Sequence, residues 1–263
     1  MMKSGKKSKF KIFVNLTKII KNWYIIPLIY YGLIKNEFSI LELKNGIKIK
    51  IRTKSTDLQA LVNVFVIEEY QFPGFEIKEN DIIIDIGGHI GLFALYATKN
   101  CKKGKIFCYE PVKKNYHLLK DNIEMNNISN VNHFNLAVSN DQKEIKIFLS
   151  EDDAGHSIIQ SEKKFEIVNS TTLKKIMDVN NIEKCNFLKM DCEGAEFKIL
   201  ESLPDEYFIK IKKIVMEYHL FNNNYNSYEK MKERLQDLNF DISVKEYSKN
   251  LGLLYAIQRD ENE

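Results

Sequence analysis

From Asn80 onward the chain alternates short apolar, β-rich runs with amphipathic stretches at regular intervals. Ile82–Asp85, Lys105–Tyr109, Val131–Leu136, Phe187–Met190 and Lys213–Glu217 read as strands. Ile90–Lys99, Lys113–Asn126, Thr172–Val179 and Ala195–Leu200 read as the helices between them. Strands nearly apolar on both faces and separated by helices call for a parallel sheet covered on both sides. Lys143–Leu149 and Phe165–Val168 read as an inserted pair of strands between the third and fourth main ones. A helix at Ser227–Leu238 leads into Asp241–Tyr247, a turn at Ser248–Gly252, and Leu253–Gln258. Such a hairpin predicts that the last strand joins the sheet antiparallel.

The first eighty residues have a different texture. Glu42–Arg52 alternates around Asn45-Gly46, the signature of a β-hairpin, and a helix is expected over Leu58–Tyr70 before Pro73-Gly74. Residues 10–34 are apolar and aromatic, but Lys18, Lys21, Asn22 and Pro27 interrupt them. That leaves no run of the roughly 18–20 apolar residues a bilayer span needs. The segment is expected to lie on something rather than span it, either the protein's own core or a partner, or the lipid interface. A division follows into a basic amphipathic extension with a hairpin (1–54) and an α/β domain (55–263).

Composition sharpens this division. With 44% hydrophobic residues in 263, the chain has ample material for a core, which excludes disordered and low-complexity classes. The net charge of +3 conceals an asymmetry: residues 1–54 carry thirteen Lys/Arg against Glu37 and Glu42, a local charge of +11 that leaves −8 on the rest. A basic head on an acidic body suits a membrane surface or polyanionic substrate; nucleic acid is not the expected partner. Four cysteines without a paired C-x-x-C spacing, and no signal peptide ahead of them, suit a reduced, cytoplasmic setting.

The candidate chemistry begins where the first main strand ends, in I-I-I-D-I-G-G-H-I-G-L-F. Asp85 closes that strand, Gly87 and Gly88 permit a tight turn with close backbone approach, and Gly91 opens the next helix. The spacing matches neither the dinucleotide G-x-G-x-x-G nor the P-loop, which sets aside a nicotinamide oxidoreductase. The second strand ends in Y-E-P, placing Glu110 25 residues beyond Asp85. A strand-end acid at that interval can accept the two hydroxyls of a ribose, and Pro111 then opens a helix where a missing N–H costs nothing. A nucleoside ligand without a diphosphate grip fits both loops, and S-adenosylmethionine is such a ligand.

The stretches I-I-I-D-I-G-G-H-I-G-L-F, Y-E-P, L-A-V at 136–138, F-L-K-M-D-C-E-G-A-E at 187–196 and M-E-Y-H at 216–219 together resemble the FkbM family of S-adenosylmethionine-dependent methyltransferases. The resemblance spans roughly residues 57–220. It implies a Rossmann-like class I methyltransferase sheet of seven mostly parallel strands with an antiparallel last strand and helices on both faces. It also implies methylation of a hydroxyl, often on a sugar or a polyketide, as in polysaccharide biosynthesis. By the same likeness Asp85, Gly87 and Gly91 would hold the methionyl end and Glu110 the ribose, Ala137 would lie near the adenine, Asp191 would meet both the methyl group and the acceptor, and Gly88, His89 and Pro111 complete the expected cofactor-binding set. His89 departs from the Gly-Ala-Asn common at that place in the family.

A base must take the acceptor's proton. Asp191, Glu193, Glu217, His219 and His156 are the candidates, with Asp191, His219 and Glu217 the expected catalytic set. Glu217 and His219, at i and i+2 on a strand, point to one face and would pair as acid and base. Glu196, one step into the following helix, reads as structural. Asp191 and Glu217 also suggest a magnesium alternative, although a metal-free base is expected. Tyr70, Phe72 and Phe75 are expected to pack in the core, or else to cover the cofactor or a sugar. The non-enzymatic alternative is an inactive methyltransferase-like binding module that uses its basic head as an interaction arm.

Overall fold

The computed structural model describes residues 6–149, 164–220 and 225–259. The candidate base His156 lies outside them. In chain order the elements are α1 (Lys6–Ile19), α2 (Ile25–Tyr30), β1 (Phe38–Glu42), β2 (Lys48–Arg52), α3 (Asp57–Val62), a π-helical turn (Asn63–Ile67), β3 (Ile82–Ile86), α4 (Leu92–Ala97), β4 (Lys105–Tyr109) and α5 (Lys113–Met125). There follow β5 (Val131–Phe134), β6 (Ala137–Val138), β7 (Glu144–Phe148), β8 (Phe165–Thr171), α6 (Leu173–Val179), β9 (Phe187–Met190), α7 (Glu196–Glu201), α8 (Asp205–Phe208), β10 (Lys213–His219), α9 (Tyr225–Asp237), β11 (Phe240–Ser248) and β12 (Leu251–Gln258).

Seven strands form one sheet in the order β11-β12-β10-β9-β3-β4-β5. The five from β10 to β5 run parallel, and β12 joins β10 antiparallel. The parallel sheet and reversed last strand are those the pattern predicted, and together they make the Rossmann-like arrangement that the resemblance implied. Alternate side chains feed two separate cores. Ile83, Ile106 and Val215 pack on one face with α4, α5 and the N-terminal elements. Ile84, Ile86, Ile214 and Met216 pack on the other with α6, α7 and α9.

Three elements differ from the sequence pattern. The helix expected over Leu58–Tyr70 is α3 followed by the π-turn, and it stops at Glu68, whose φ is +52°. The β-branched Val62, Val64, Val66 and Ile67 crowd the α-helical backbone, and Tyr70 is freed to face the cleft. The helix after β3 begins only at Leu92 because Gly91 is left-handed at φ +85°. The inserted pair gains a third strand, β6, which runs parallel beside β8.

The N-terminal elements fold onto the α/β body. Leu16, Ile20, Ile26, Leu41, Ile49 and Ile51 are buried in the same cluster as Ile83 and Phe93. The hairpin β1–β2 turns at Gly46, with φ +92°, as its Asn-Gly predicted. Its free edge is met by side chains rather than by another strand. The buried Asn122 of α5 accepts from Lys50 N (2.7 Å) and donates to Lys50 O (3.1 Å) and Ile90 O (2.9 Å). One helical turn on, Asn126 repeats the pairing with Lys48 N (2.8 Å) and Lys48 O (2.7 Å). Two amides at i and i+4 thus stand in for a neighbouring strand and satisfy the edge.

Replacing Asn122 with Ala leaves Lys50 and Ile90 backbone groups without these partners, an expected loss on the order of 2–3 kcal/mol in urea unfolding. Asn126→Ala, at a more exposed pairing, should cost about 1 kcal/mol or less.

Candidate functional site

The cleft opens at the carboxyl ends of β3, β4, β9 and β10, and its floor is a buried ion pair. Lys189, in the middle of β9, is 3% exposed and places its Nζ 3.1 Å from Asp85 Oδ1. The same ammonium donates to Gly87 O at 2.7 Å and lies over the rings of Tyr70 and Phe93. Burial opposes a charge on Lys189, but the carboxylates of Asp85 and Asp191 more than offset it and raise its affinity for the proton. Asp85 also accepts from Cys108 Sγ at 3.2 Å.

The glycine loop sits directly above this pair. Gly87 N and Gly88 N both donate to Tyr109 O at 3.0 Å, folding the loop back over β4. Gly87 has φ +80°, and a Cβ there would stand 1.7 Å from Asp191 O, so only glycine fits. His89 is left-handed as well, at φ +49°, an uncommon conformation for a residue with a side chain. Its ring is held in place: Nε2 lies 3.1 Å from Arg52 Nη2 and 3.3 Å from Asp57 Oδ1.

Arg52 arrives from β2. It donates through Nη2 to Asp57 Oδ1 (2.7 Å), through Nε to Asp57 Oδ2 (2.9 Å) and through Nη1 to Asn115 (2.9 Å). Burial pushes the Asp57 carboxyl up, but hydrogen bonds from His89 and Arg52 outweigh it and hold the group well below the usual carboxylate range. The hairpin therefore reaches the glycine loop through side chains.

Glu110 ends β4 at 4% exposure, and its two oxygens accept from His89 N (2.8 Å) and Val112 N (2.9 Å). Burial pushes its carboxyl up to about 7 against the opposing pull of His89, those two N–H groups and Lys189. Each oxygen has accepted one backbone bond and keeps a second lone pair.

At the other end of the cleft carboxylates gather. Tyr70 OH donates to Asp191 Oδ2 at 3.2 Å. His219, buried at the end of β10, has Nε2 3.2 Å from Glu193 and 3.7 Å from Glu217, and Nδ1 3.4 Å from Glu196. Burial works against its charge, but the surrounding carboxylates, Glu196 foremost, hold its proton well above the ordinary histidine range. Burial, then the neighbouring Asp191 charge, likewise raises Glu217 and Glu69. Glu196 accepts from Cys192 N (3.0 Å) and Gly194 N (2.9 Å), ordering the loop that carries Asp191 and Glu193, as its structural reading required. Asp191, Glu217 and His219 each bring one donor atom within 4.8 Å of the others, a set able to take a divalent cation.

Of the residues singled out in the sequence, Gly87, Gly88, His89, Glu110, Pro111, Ala137, Asp191 and Glu217 line the cleft. Asp85 lies beneath it, Gly91 packs on Leu119, and His219 backs the acidic end. Tyr70 faces the cleft, Phe75 is buried against Phe187, and Phe72 stacks on Tyr255. Lys189, Glu69, Arg52 and Asp57 carry roles the sequence reading did not give them. A lysine inside an otherwise apolar buried strand was the available signal for Lys189. Thr56, Gln59 and Asn63 from α3 and the π-turn, and Ile145 and Ile147 from β7, complete the walls.

Comparison with known proteins agrees with this geometry. The model of the Methyltransferase FkbM domain matches residues 85–242. Methyltransferase 1 of Beauveria bassiana is 25% identical over 176 residues, covering 59% of this chain and 70% of that protein. Methyltransferase sdnD of Sordaria araneosa is 24% identical over 174 residues, covering 54% and 67%. The crystal structure of a methyltransferase FkbM from Methylobacillus flagellatus shares the fold at a TM-score of 0.52 and 13% identity. That likeness covers 76% of this chain but only 53% of the solved one. With its sheet order, its glycine loop and a matched domain spanning more than half its length, the chain belongs to the FkbM family of methyltransferases.

Proposed function

We propose that the chain transfers the methyl group of S-adenosylmethionine to a hydroxyl of a sugar, a glycan or a related metabolite. The observation that carries this reading is that one cleft is lined by Glu110, by a set of apolar side chains and by a carboxylate cluster. Glu110 offers two lone pairs to a ribose diol. Val112, Ala137, Val138 and Ile147 offer an apolar wall for a flat base. Asp191, with the carboxyl oxygens of Glu217 and Glu69 beside it, offers a polar, acidic end to a cation. The residues present therefore fit this cofactor, whose contribution is a methyl group on a sulfonium that is already a good leaving group.

The protein's remaining task is positioning and proton transfer. Thr56, Gln59 and Asn63 supply neutral hydrogen-bonding groups suited to a polyhydroxylated acceptor. Alignment of the attacking oxygen supplies much of the rate. Asp191, oriented by Tyr70 OH, is placed to take the hydroxyl proton, with Glu217 beside it. The spacing of Glu217 and His219 suggested an acid–base pair with histidine as base. With carboxylates on three sides His219 keeps its own proton, so we assign it as the positioning cation that holds Glu217 and Glu193 together.

Glu110→Ala should weaken S-adenosylhomocysteine binding at least tenfold in calorimetric titration, about 1.4 kcal/mol. Intact protein that binds none would favour an inactive binding module. The raised Glu110 carboxyl adds a pH signature. The folded state binds its proton more tightly than the unfolded one, so this contribution is full below about pH 4.5 and is lost as pH rises through about 7. Glu110→Gln should flatten the fall in apo stability over that window.

Asp191→Asn should lower kcat by about 10²–10⁴, a larger loss than the accompanying weakening of cofactor affinity. A metal-free base requires turnover to survive chelation by EDTA. Activity abolished by EDTA and restored by Mg²⁺ would instead assign Asp191, Glu217 and His219 to a metal.

A further inference from the structure

The segment from Phe10 to Lys35 divides its apolar side chains between two directions. Leu16, Ile20, Ile26 and Ile29 enter the core, whereas Trp23, Tyr24, Leu28, Tyr30, Tyr31 and Leu33 stand outward, with Tyr24, Tyr30, Tyr31 and Leu33 each more than 60% exposed. Large apolar side chains exposed singly need no explanation, but six within eleven consecutive residues form a patch that does.

The patch is rigidly mounted. Lys21 N donates to Glu42 O at 2.7 Å, Lys44 N donates to Ile19 O at 2.8 Å, and an isolated antiparallel Ile20–Leu43 bridge ties the segment to the chain just beyond β1. Asn22 closes the junction, donating to Ile40 O and accepting from Glu42 N at 2.9 Å each. The outward side chains are therefore presented by a fixed scaffold and not by a fraying terminus.

Exposed Lys11, Lys18, Lys21, Lys35 and Lys44 flank the patch, within residues 1–54, whose net charge is +11. Among the described residues no helix is long and apolar enough to cross a membrane. Aromatic residues that are amphipathic at their tips, set beside lysines, match the headgroup level of a bilayer, where rings sit at the boundary and ammonium groups meet anionic lipid. We propose that this face docks the protein on the surface of a bilayer carrying anionic lipids, lying on it without spanning it.

Trp23, the chain's single tryptophan, sits within the patch and reports on it. The experiment titrates the full chain with phosphatidylcholine vesicles, with and without roughly 30 mol% phosphatidylglycerol. Expected are a blue shift of Trp23 emission and co-sedimentation with the anionic vesicles only, both reduced by raised salt. Tyr24→Ser/Tyr30→Ser/Tyr31→Ser should weaken binding at least tenfold, and Lys11→Glu/Lys18→Glu/Lys35→Glu should abolish the preference for anionic lipid. Unchanged circular dichroism and S-adenosylhomocysteine binding keep both variants interpretable. Three results would overturn the proposal: no binding and no emission shift in the wild type, equal binding by the tyrosine variant, or a patch-dependent dimer in light scattering that leaves vesicles untouched, which would mark it as a protein interface.

Discussion

The site is organised by one buried charge pair. Lys189 sits among apolar neighbours in the middle of a parallel sheet, where a lone ammonium would be costly, and Asp85 on the adjacent strand answers it. Two consequences follow from that placement. Its remaining hydrogen-bonding capacity goes upward to Gly87 O, which fixes the glycine loop against the strand ends. Its charge lies beneath Tyr70 and near Asp191, so it also offsets part of the carboxylate cluster above. Removing either partner would strand the other in the core and release the loop from its floor.

From this floor the cleft is closed by elements that are distant in sequence. The hairpin contributes Arg52, which reaches His89 both directly and through Asp57 and stabilises a backbone conformation that a non-glycine residue adopts at a cost. The hairpin in turn is held to α5 by Asn122 and Asn126, and α5 begins just after Glu110. The glycine loop, Glu110 and the N-terminal elements thus form one connected polar network. The basic segment is tied to the α/β body at its core and turns only its outer face away.

The sheet was legible because parallel strands buried on both faces must be written as apolar runs, and the reversal at the end followed from the hairpin at Ser248–Gly252. The glycine turn and Glu110 were legible because close backbone approach and a strand-end acid leave few alternatives. Less visible were groups whose role depends on a partner far along the chain. Arg52 looked like one more basic residue of the hairpin, and its meaning came only with Asp57 and His89 beside it. The asparagines of α5 looked like ordinary helix residues, since nothing local announces that a strand edge lies against them. The helix over Leu58–Tyr70 was overextended because periodicity does not register the widening at Asn63–Ile67 that brings Tyr70 to Asp191. His219 was placed correctly on the strand, but the charge of its surroundings needed Glu193 and Glu196 from the neighbouring loop and helix.

The central claim, that Lys189 and Asp85 act as a unit on which the loop depends, is tested most directly by a double-mutant cycle. Asp85→Asn, Lys189→Met and the double variant would be compared in unfolding free energy and in S-adenosylhomocysteine affinity. Each single change should cost about 3–5 kcal/mol, and the double should cost clearly less than their sum while still binding the ligand weakly. Additive costs, or full affinity in Lys189→Met, would contradict the account and return the placing of the loop to its backbone hydrogen bonds alone.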